Sequence, residues 1–486
     1  MKALRDILYG VRIQEVVGNT ADMIGAVHFD SRKADQSSVF VATKGVSNDA
    51  HNFIPQVIAA GCKNIVCERI DNPVAGINYV LVDSSSKSLG IMASNFYDNP
   101  SSELKLVGIT GTNGKTTTAT LLYELFQQLG YVCGKITTVE NAIGSEIVPS
   151  THTTPDAVSL NALLREMRQA SCDFCFMEVS SHAVDQERIA GLQFTGAVFT
   201  NLTHDHLDYH HTFKEYLNAK KKFFDNLPIT AFSLTNKDDK NGLVMLQNTR
   251  AKQYSYAMKS VADFKVKIIE NQLSGLVLNM DGVEIWTKLI GHFNAHNLLA
   301  VYAVALLLDQ KKEEVLLGLS KLGSVNGRFE YVISPTGITI IVDYAHTPDA
   351  LLNVLQTVDT IRTKNEQVIT VVGCGGDRDK EKRPKMAAVA CDGSDKVVLT
   401  SDNPRSEDPD QIIADMMAGV GGHHFKKTMK VTDRYEAIKS ALMMSNPGDI
   451  ILVAGKGHET YQEIKGVKHD FDDKKVIEEL ITKLEK

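Results

Sequence analysis

The sequence predicts an α/β protein built from three domains. The chain has 486 residues, too many for a single hydrophobic core, and about two to four domains are expected for this length. Short apolar runs pass repeatedly into polar loops marked by glycine or proline, and helical patterns follow those loops. This alternation is typical of parallel sheets whose two faces are covered by helices.

Composition and charge exclude several classes of protein. Hydrophobic residues make up 43% of the chain and charged residues 23%, as in an ordinary globular protein. The net charge of −7 argues against nucleic-acid binding, because no basic stripe offsets the repulsion of phosphates. The most apolar stretch, residues 298–308, is far shorter than a membrane span, and no secretory signal opens the chain. We expect a cytoplasmic protein without membrane insertion, and we expect it to be a monomer.

The chain has seven cysteines, which are scattered without a disulfide framework. Cys172 and Cys175 form a C-x-x-C pair, which could indicate redox chemistry or half of a zinc site. They lie in the apolar run "SCDFCFMEV", however, and no second pair is nearby. We interpret them as core cysteines in a reducing cytosol.

The first predicted domain comprises residues 1–103. Its strand-like runs are "SVFVATKG", "KNIVCERI" and "INYVLVD", and helical patches separate them. The stretch "NFYDNPSSEL" is rich in proline, serine and asparagine and marks the boundary with the next domain.

The central domain, residues 104–328, opens with the stretch "GITGTNGKTTTATLLYELFQQLG". Gly111 and Gly114 allow a sharp turn that brings backbone N–H groups close to an anion. A helix follows from Thr116, and a phosphate at its N-terminus would meet unpaired N–H groups and the positive end of the dipole. Lys115 adds a cation, and the Thr116 hydroxyl can join a Mg²⁺ shell. We interpret the stretch as an ATP-type phosphate loop on a P-loop-type parallel sheet, with an ordinary glycine turn as the alternative.

The third domain, residues 329–486, repeats the strand-and-loop theme and predicts a Rossmann-like α/β fold. Its strands begin the stretches "GITIIVDYAH", "QVITVVGCGGDRD", "KVVLTSDNP" and "DIILVAGKGHE". The polar loops that follow would lie at the carboxyl ends of parallel strands, where doubly wound sheets bind their ligands.

Two further strand ends in the central domain carry polar residues that suit a metal ion. The stretches "FCFMEVSSH" and "TGAVFTNLTHDHLDYHH" supply Glu178, Ser180, His182, His204, Asp205, His206 and Asp208. In a parallel sheet they face the same crevice as the phosphate loop. Glu178, His206 and Thr116 fit a Mg²⁺ site, because a hard cation prefers carboxylate and hydroxyl oxygens with an occasional imidazole. Zinc and a solvated histidine-rich loop are the alternatives.

Charged residues on the loops of the third domain outline a pocket for an amino acid. Arg378 in "GDRDKEKRP" and Arg405 in "SDNPRSEDP" suit carboxylates, and Glu459 in "GKGHE" suits an ammonium group. Ordinary surface ion pairs are the alternative for each residue. Lys220 lies fifteen residues after Asp205 in a short basic run, which taken alone indicates a solvated helix face.

Nine motifs, taken in order, carry a specific resemblance to a known family. They are "TGTNGKTTT", "MEVSSHAVDQER", "TNLTHDHLDYH", "GHFNAHNLLA", "NGRFE", "DYAHTPDAL", "GCGGDRDKEKRPKM", "DNPRSEDP" and "AGKGHE". Through nearly all of its length the chain resembles the Mur ligases, the ATP-dependent amide-forming enzymes of peptidoglycan synthesis. It is most similar to the type that adds the third peptide residue to UDP-N-acetylmuramoyl-L-alanyl-D-glutamate.

The resemblance implies a reaction and its substrates. "DNPR" accompanies the diaminopimelate-adding type, so meso-diaminopimelate would be joined to the D-glutamate γ-carboxylate through an acyl phosphate. The L-lysine-adding ligase and ligases that add D-glutamate, D-alanyl-D-alanine or a folate glutamate are the alternatives within the superfamily. A P-loop kinase or NTPase and a non-catalytic nucleotide-binding module are the alternatives outside it.

The resemblance also implies the residues of the catalytic and nucleotide sites. The ATP-binding residues would be Gly111, Thr112, Asn113, Gly114, Lys115, Thr116, Thr117, Asn294, Asn297, Arg328 and Asp343. The catalytic residues would be Lys115, Lys220 and His206. The Mg²⁺ ligands would be Thr116, Glu178, His206 and Lys220, the last carrying the carbamate that the family forms at this position.

Two further sets of residues would bind the other substrates. UDP-muramoyl-dipeptide would contact Ser31, Thr153, Thr154, Ser180, Gln186 and Arg188. The loop "GVSNDAHN", residues 45–52, is a further candidate for the UDP end, and His152 stands where the family usually has asparagine. Diaminopimelate would contact Arg378, Asp402, Asn403, Pro404, Arg405, Gly455 and Glu459.

Overall fold

The computed structural model describes residues 1–45, 48–150 and 152–486. Within these residues the strands form three large sheets and two small two-stranded ones. Each large sheet is built from one continuous part of the chain, and helices pack against it, so the predicted α/β class is confirmed. None of the helices in the described ranges combines the length and apolar character that crossing a membrane requires.

The N-terminal sheet has five strands. The elements of this part are β1 (Lys2–Ala3), α1 (Leu4–Ile7), β2 (Ile13–Val17), β3 (Met23–Ile24), β4 (Ala26–His28), β5 (Ser38–Val41), a 3₁₀ turn (Ala50–Phe53), α2 (Ile54–Ala59), β6 (Asn64–Cys67), β7 (Asn78–Val82), α3 (Ser85–Phe96) and a second 3₁₀ turn (Pro100–Ser102). The strand order is β2-β7-β6-β5-β4, with β4 to β7 parallel and β2 antiparallel. The three runs predicted as strands are the adjacent parallel strands β5, β6 and β7.

The central sheet has eleven strands. Its elements are β8 (Lys105–Thr110), α4 (Lys115–Gln128), β9 (Cys133–Ile136), β10 (Glu140–Ile143), β11 (Glu146–Pro149), α5 (Ala157–Gln169), β12 (Phe174–Glu178), α6 (Ser181–Asp185), β13 (Gly196–Phe199), α7 (Leu207–His210), α8 (Phe213–Asp225), β14 (Phe232–Asn236), α9 (Gly242–Met245), β15 (Lys252–Ala257), β16 (Phe264–Gln272), β17 (Gly275–Met280), β18 (Val283–Thr287), α10 (His292–Leu307) and α11 (Lys312–Leu319). The strand order is β11-β10-β9-β12-β8-β13-β14-β15-β16-β17-β18.

The centre of this sheet is parallel, as predicted, but both edges are antiparallel. The seven neighbouring strands β9-β12-β8-β13-β14-β15-β16 pair in parallel, whereas β10–β11 and β17–β18 form antiparallel hairpins at the two edges. The connection between β17 and β18 is too short for a crossover helix, so these strands must pair antiparallel. Asp281 and Gly282 both have positive φ there, at 50° and 85°, as a two-residue hairpin turn requires.

Helices cover both faces of the central sheet. Helices α4 and α10 contribute to one core, and Leu121, Leu122 and Leu125 of α4 are fully buried in it. Helices α5 and α8 contribute to the opposite core, where Cys172 and Cys175 are buried as free thiols. Because both faces are covered, ligands can reach the sheet at the ends of its strands.

The C-terminal sheet has six strands. Its elements are β19 (Glu330–Ile333), β20 (Thr339–Asp343), α12 (Pro348–Ile361), β21 (Val368–Cys374), α13 (Lys382–Gly393), β22 (Lys396–Ser401), α14 (Pro409–Met417), a 3₁₀ turn (Gly422–Lys427), β23 (Thr428–Lys430), α15 (Arg434–Met444), β24 (Ile450–Ala454), the hairpin β25 (Tyr461–Ile464) and β26 (Val467–Asp470), and α16 (Asp473–Lys483). The order is β19-β20-β24-β21-β22-β23, with only the edge strand β19 antiparallel among these described strands. The four predicted strands are its four central strands, and the polar loops after them all leave the sheet at the carboxyl ends of these strands.

A fully buried ion pair stabilises the carboxyl ends of two of these strands. Arg434 donates to Asp473 from Nε and from Nη2, each at 2.7 Å, and neither side chain is exposed. The same guanidinium donates to the carbonyl oxygens of Ser401, at 3.5 Å, and Ala454, at 3.2 Å. These are the last residues of β22 and β24, so the pair joins helix α16 to the two strand ends that lead into the predicted amino-acid pocket.

We expect Asp473→Asn to lower the free energy of unfolding of the C-terminal part of the chain by about 3–5 kcal/mol, because it leaves the buried Arg434 cation uncompensated. Urea unfolding followed by circular dichroism measures the change. The control is Glu479→Gln on the same helix, which breaks an exposed pair with Lys483 and should leave the midpoint in place. Equal midpoints for the two variants would contradict the assigned role of the pair.

Candidate active site

The phosphate loop connects β8 to α4 and has no room for side chains at its two glycines. Gly111 has φ +148° and Gly114 has φ +85°. A Cβ atom on Gly111 would lie 1.9 Å from Thr200 Oγ1, and one on Gly114 would lie 2.6 Å from Asn297 Oδ1. The glycines are therefore required both by backbone conformation and by close neighbours.

The residues after β13 hold this loop in place. The Asn113 N–H donates to Asn201 Oδ1 at 2.9 Å, and Thr200 Oγ1 donates to the Asn113 carbonyl at 2.6 Å. The Asn201 amide donates to the same carbonyl at 3.1 Å. Sequence reasoning did not single out Thr200 or Asn201, although the motif "TNLTHDHLDYH" contains Asn201 and begins at Thr200.

Two lysines, half-buried Lys115 and fully buried Lys220, converge on one carbonyl oxygen of the loop. Lys115 Nζ donates to the Gly111 carbonyl at 3.0 Å and to the Thr112 carbonyl at 2.7 Å. Lys220 Nζ, from helix α8, donates to the same Gly111 carbonyl at 2.8 Å and lies 4.8 Å from the ring centre of Tyr216. Burial lowers the pKa of both amines, and for Lys220 the charge of Lys115 lowers the pKa further. Lys220 is therefore part of the site and not a solvated surface lysine.

A buried carboxylate stands opposite these lysines. Glu178, the last residue of β12, is fully buried and accepts from the Thr138 N–H at 2.8 Å and from the Thr138 hydroxyl at 3.2 Å. The charges of Glu178 and Asp205 act on both Lys115 and Lys220. Thr138, which follows β9, was missed from the sequence because only the pairing of β9 with β12 brings it to Glu178.

His206 begins the short helix α7 beside this cluster. Its ring lies 4.9 Å from His182 and 6.0 Å from Tyr216, measured between ring centres, and Asp205 Oδ2 is 3.4 Å from Nε2. Burial lowers the pKa of His206, against the opposing charge of Asp205, which favours the neutral imidazole that a metal ligand requires. His204 faces Asp379 of the C-terminal part at 3.5 Å, and the side chain of Asp208 lies outside the described part of the structure.

The carboxylate and imidazole groups of this cluster suit a hard cation whose remaining ligands include phosphate oxygens. Within the described residues, no group of three or more His, Cys, Asp or Glu side chains is arranged to hold a metal ion. A cation bound here would take further ligands from the Thr116 hydroxyl and from phosphate oxygens. This is the way in which proteins bind Mg²⁺, whereas zinc prefers a closed set of nitrogen and sulfur ligands.

Arg328, the last residue of the predicted central domain, and Asp349 link the C-terminal part to the phosphate loop and to the start of α4. Arg328 Nη2 donates to Thr116 Oγ1 at 3.0 Å, and its guanidinium lies 4.5 Å from the ring centre of Tyr344. Asn113 Nδ2 donates to Asp349 Oδ2 at 3.0 Å. Asp349, in the first turn of α12, was not predicted, although it lies in the motif "DYAHTPDAL".

The other predicted nucleotide-binding residues surround these links. Asn297 Nδ2 donates to Asn294 Oδ1 at 3.1 Å on α10, directly beside Gly114. Asp343, at the end of β20, accepts from the Phe329 N–H at 2.6 Å. Burial raises the pKa of Asp343 to about 6, and the nearby charge of Arg328 opposes this shift.

Five of the predicted peptide-binding residues form one cluster next to Glu178. The Thr154 hydroxyl donates to the Glu178 carbonyl at 2.9 Å and accepts from the Ser180 N–H at 3.2 Å. Arg188 donates to the Thr154 carbonyl at 2.8 Å and to Gln186 Oε1 at 2.7 Å, and the hydroxyls of Thr138 and Thr153 are 3.0 Å apart. Ser31 follows β4 and belongs to the N-terminal sheet. In the loop of residues 45–52, positions 46 and 47 lie outside the described residues.

The predicted amino-acid pocket lies where β22 and β24 end. Asn403 Nδ2 donates to Glu459 Oε2 at 2.7 Å, which joins the loop after β22 to the loop after β24. Arg405 donates from Nη1 to the Gly376 carbonyl at 2.7 Å, and its Nε lies 3.6 Å from Glu463 Oε2. Its backbone has φ +51°, and its N–H donates to the Glu463 carbonyl at 2.9 Å. Strand β25 therefore holds Arg405 in place, which the sequence did not indicate.

The other members of this predicted set lie on the same loops. Asp402 and Pro404 flank Asn403, and Gly455 follows β24 with φ +117°. Arg378 is exposed on the loop after β21 and donates to the Asp377 carbonyl at 3.0 Å. The structure thus brings this predicted set together at the carboxyl ends of the strands of the C-terminal sheet.

Known proteins resemble this chain along its whole length. The family model "Mur ligase middle domain" matches residues 109–305, and "Mur ligase, glutamate ligase domain" matches residues 327–457. The UDP-N-acetylmuramoyl-L-alanyl-D-glutamate--2,6-diaminopimelate ligase of Cytophaga hutchinsonii is 57% identical over 99% of this chain and 100% of that protein. The ligase of the same name from Bacteroides thetaiotaomicron is 53% identical over 98% and 99% of the two chains.

Solved structures agree with these relatives. One described as a UDP-N-acetylmuramoyl-L-alanyl-D-glutamate--2,6-diaminopimelate ligase is 31% identical, with a TM-score of 0.70 and coverage of 100% of this chain and 99% of that one. The MurF ligase of Thermotoga maritima in complex with ADP is 19% identical and shares the fold, with a TM-score of 0.62 over 94% of this chain and 97% of that one.

The fold and the site define an ATP-dependent amide-bond-forming ligase. The chain belongs to the Mur ligase family. Within that family, the relatives from Cytophaga hutchinsonii and Bacteroides thetaiotaomicron and the 31% identical structure are all named as 2,6-diaminopimelate ligases.

We expect Asp349→Ala to raise the KM for ATP by about 3- to 10-fold, because Asn113 of the phosphate loop loses its acceptor and one hydrogen bond contributes about 0.5–1.5 kcal/mol. Steady-state kinetics with the other substrates saturating measures the effect. The matched control is Asp359→Ala near the end of the same helix, where the carboxylate pairs only with Arg362 and Lys364 among the described contacts. If both variants keep the wild-type KM, the link between Asn113 and Asp349 does not support nucleotide binding.

Proposed function

We propose that this chain joins meso-diaminopimelate to the D-glutamate γ-carboxylate of UDP-N-acetylmuramoyl-L-alanyl-D-glutamate, using ATP, in peptidoglycan synthesis. The observation that carries the proposal is the link between two strand-end sites. Asp349 of the C-terminal part accepts from Asn113 of the loop, and Arg328, the last residue of the central range, contacts both Thr116 and Tyr344. An activated carboxylate formed at the loop would therefore face the part of the chain that presents the amine.

The chemistry follows from the groups at the two sites. The γ-carboxylate of D-glutamate attacks the γ-phosphorus of ATP, the bond to the bridging oxygen breaks, and ADP leaves with the electron pair. Lys115 and the loop N–H groups neutralise charge on the transferred phosphoryl group. The amine of the amino acid then attacks the acyl carbon, loses a proton, and expels inorganic phosphate from the tetrahedral intermediate. Closure around the acyl phosphate protects it from water.

We propose Thr116, Glu178, His206 and a carbamylated Lys220 as the ligands of Mg²⁺. A divalent cation at this position supplies charge neutralisation for the β- and γ-phosphates. The protein supplies one hydroxyl, one buried carboxylate and one neutral imidazole, and the carbamate adds a second carboxylate. The remaining predicted residues keep the roles stated above, with Thr153, Thr154, Ser180, Gln186 and Arg188 holding the dipeptide and Ser31 the UDP end.

The position of Lys220 supports its carbamylation. Its amine shares the Gly111 carbonyl with Lys115, so two cations would stand side by side in a buried site. Addition of CO₂ to the neutral amine, with loss of a proton, replaces one of these cations by an anion. The product complements Lys115 instead of repelling it.

We expect Lys220→Ala to be nearly inactive and to lack the carbamate signal that wild-type protein shows by ¹³C NMR in ¹³C-bicarbonate. The control is Lys222→Ala, two residues along the same helix, which removes an exposed lysine paired with Glu187 and should keep both activity and signal. A wild-type protein without the signal, together with an active Lys220→Ala variant, would refute this role.

Selectivity for diaminopimelate would come from Arg405. Its guanidinium is 22% exposed, and a second carboxylate on the substrate would form a charge-assisted pair with it. L-Lysine, which lacks this carboxylate, would not leave Arg405 wholly unpaired, because Gly376 and Glu463 already contact the guanidinium. With L-lysine bound, the Arg405 guanidinium would therefore keep some of its partners. The free-energy penalty for binding L-lysine falls towards the lower end of the about 2–5 kcal/mol expected for an unpaired buried charge.

We expect wild-type protein to release phosphate from ATP only when the UDP-muramoyl-dipeptide and diaminopimelate are both present, and to prefer diaminopimelate over L-lysine by at least about 30-fold. Arg405→Ala should lose most of this preference. Arg362→Ala, on the far side of the same sheet and paired with Asp359 and Asp395, is the control and should keep it.

Other outcomes of these assays would indicate one of the alternative functions. Phosphate release without an amino acid would indicate an NTPase, and absence of any release would indicate a nucleotide-binding module. Equal use of both amino acids by wild-type protein, or an unchanged preference in Arg405→Ala, would refute the selectivity assigned to Arg405, and a preference for L-lysine would indicate the lysine-adding ligase.

We further propose that residues 1–103, 104–328 and 329–486 are three domains and that the protein is a cytoplasmic monomer. Each range contains one of the large sheets and most of the core packed against it, with Ala157 and Ile290 of the central range joining the cores of its neighbours, which supports the division. Limited proteolysis should cleave first near residues 103 and 328.

A further inference from the structure

A buried lysine lies beneath the amino-acid pocket and has no role in the reaction described above. Lys456 follows β24, and its side chain is fully buried. Its ammonium donates to Asn403 Oδ1 at 3.2 Å, to Glu459 Oε2 at 3.2 Å and to the Tyr461 carbonyl. One cation thus joins three segments: the loop after β22, the loop after β24, and the start of β25.

Lys456 determines the orientation of the Asn403 amide. Asn403 Oδ1 accepts both from Lys456 Nζ and from the Glu463 N–H, the latter at 2.9 Å. With two donors on the oxygen, the amide nitrogen must point the other way, where it donates to Glu459 Oε2 at 2.7 Å. The two polar groups predicted to contact the amino acid are therefore oriented by the same buried ammonium group.

Lys456 also balances the charge of the pocket. Burial raises the pKa of Glu459, the nearby charge of Asp402 raises it further, and Lys456 opposes both effects. Asp402, Glu459 and Lys456 together carry one net negative charge. That balance suits a substrate that presents an ammonium group, whereas loss of Lys456 would favour repulsion between the carboxylates or protonation of Glu459.

We propose that Lys456 is a positioning residue for amino-acid selection: it holds Asn403 and Glu459 in the arrangement that binds the ammonium end of the incoming amino acid. The inference rests on the proposed function of this pocket. Lys456 acts through Asn403 and Glu459, so its loss should weaken binding of the amino acid without changing the nucleotide site. A lysine that only stabilised the fold would not produce such a selective effect.

The test compares Lys456→Met, Lys456→Arg and a matched control in the full chain. The control is Lys396→Met at the opposite end of β22, where the lysine donates only to the Met444 carbonyl among the described contacts. KM is measured separately for diaminopimelate, ATP and UDP-muramoyl-dipeptide, and circular dichroism checks the fold. Lys456→Met should raise the KM for diaminopimelate by about 10- to 100-fold, because hydrogen bonds to charged groups are lost, and should leave the KM for ATP within about twofold.

Lys456→Arg keeps the charge and should recover part of the affinity for diaminopimelate, and Lys396→Met should match wild type. If Lys456→Met does not fold, the arginine variant decides: a KM change confined to diaminopimelate supports the inference, and equal changes for all three substrates overturn it. An unchanged KM for diaminopimelate in folded Lys456→Met also overturns it. Wild-type protein that does not respond to diaminopimelate would instead refute the proposed function, so the two failures are distinguishable.

Discussion

The ammonium groups of half-buried Lys115 and fully buried Lys220 share one carbonyl oxygen at the phosphate loop, and the surrounding residues compensate for that arrangement. Both donate to Gly111, where water screens their repulsion less than it would at the surface. Such a site attracts anions, and its own carboxylates, Glu178 and Asp205, come from the ends of two further strands. The central parallel sheet is the scaffold that brings these strand ends to one edge.

The phosphate loop is held in place by contacts with the end of β13 and with the C-terminal part. Because β13 ends close to the loop, Thr200 leaves no room for a side chain at Gly111. Asn201, the residue after Thr200, then holds Asn113, and Asn113 in turn reaches Asp349 of the C-terminal part. A short chain of polar contacts thus runs from the phosphate loop to the helix that follows β20. These hydrogen bonds therefore fix the phosphate loop relative to helix α12 of the C-terminal part.

Sequence patterns predicted the α/β class, the parallel strands and several strand-end residues because these features are local. Glu178 ends an apolar run and Arg405 lies in the loop that follows one, so the topology of a parallel sheet was enough to place them. Lys220 looked like a surface lysine, and only the family resemblance indicated its role. Asp349 was missed because its partner, Asn113, lies 236 residues away in the chain. The edge hairpins were missed because their signals, such as Asp281–Gly282, are two residues long.

The amino-acid pocket is ordered by the C-terminal part itself. Arg383 is fully buried and donates to Glu407 from both Nη atoms, at 2.8 and 3.0 Å, and Glu407 accepts from the Asp377 N–H at 2.6 Å. The pair therefore ties the loop after β21 to the loop that carries Arg405. Holding Arg405 at positive φ costs conformational energy, which these ion pairs and β25 offset before any substrate binds. A preorganised guanidinium selects a carboxylate better than a mobile one, since little entropy is lost on binding. Activation of the carboxylate at the central sheet and selection of the amine at the C-terminal sheet thus depend on separate networks, joined by the contacts of Arg328 and Asp349.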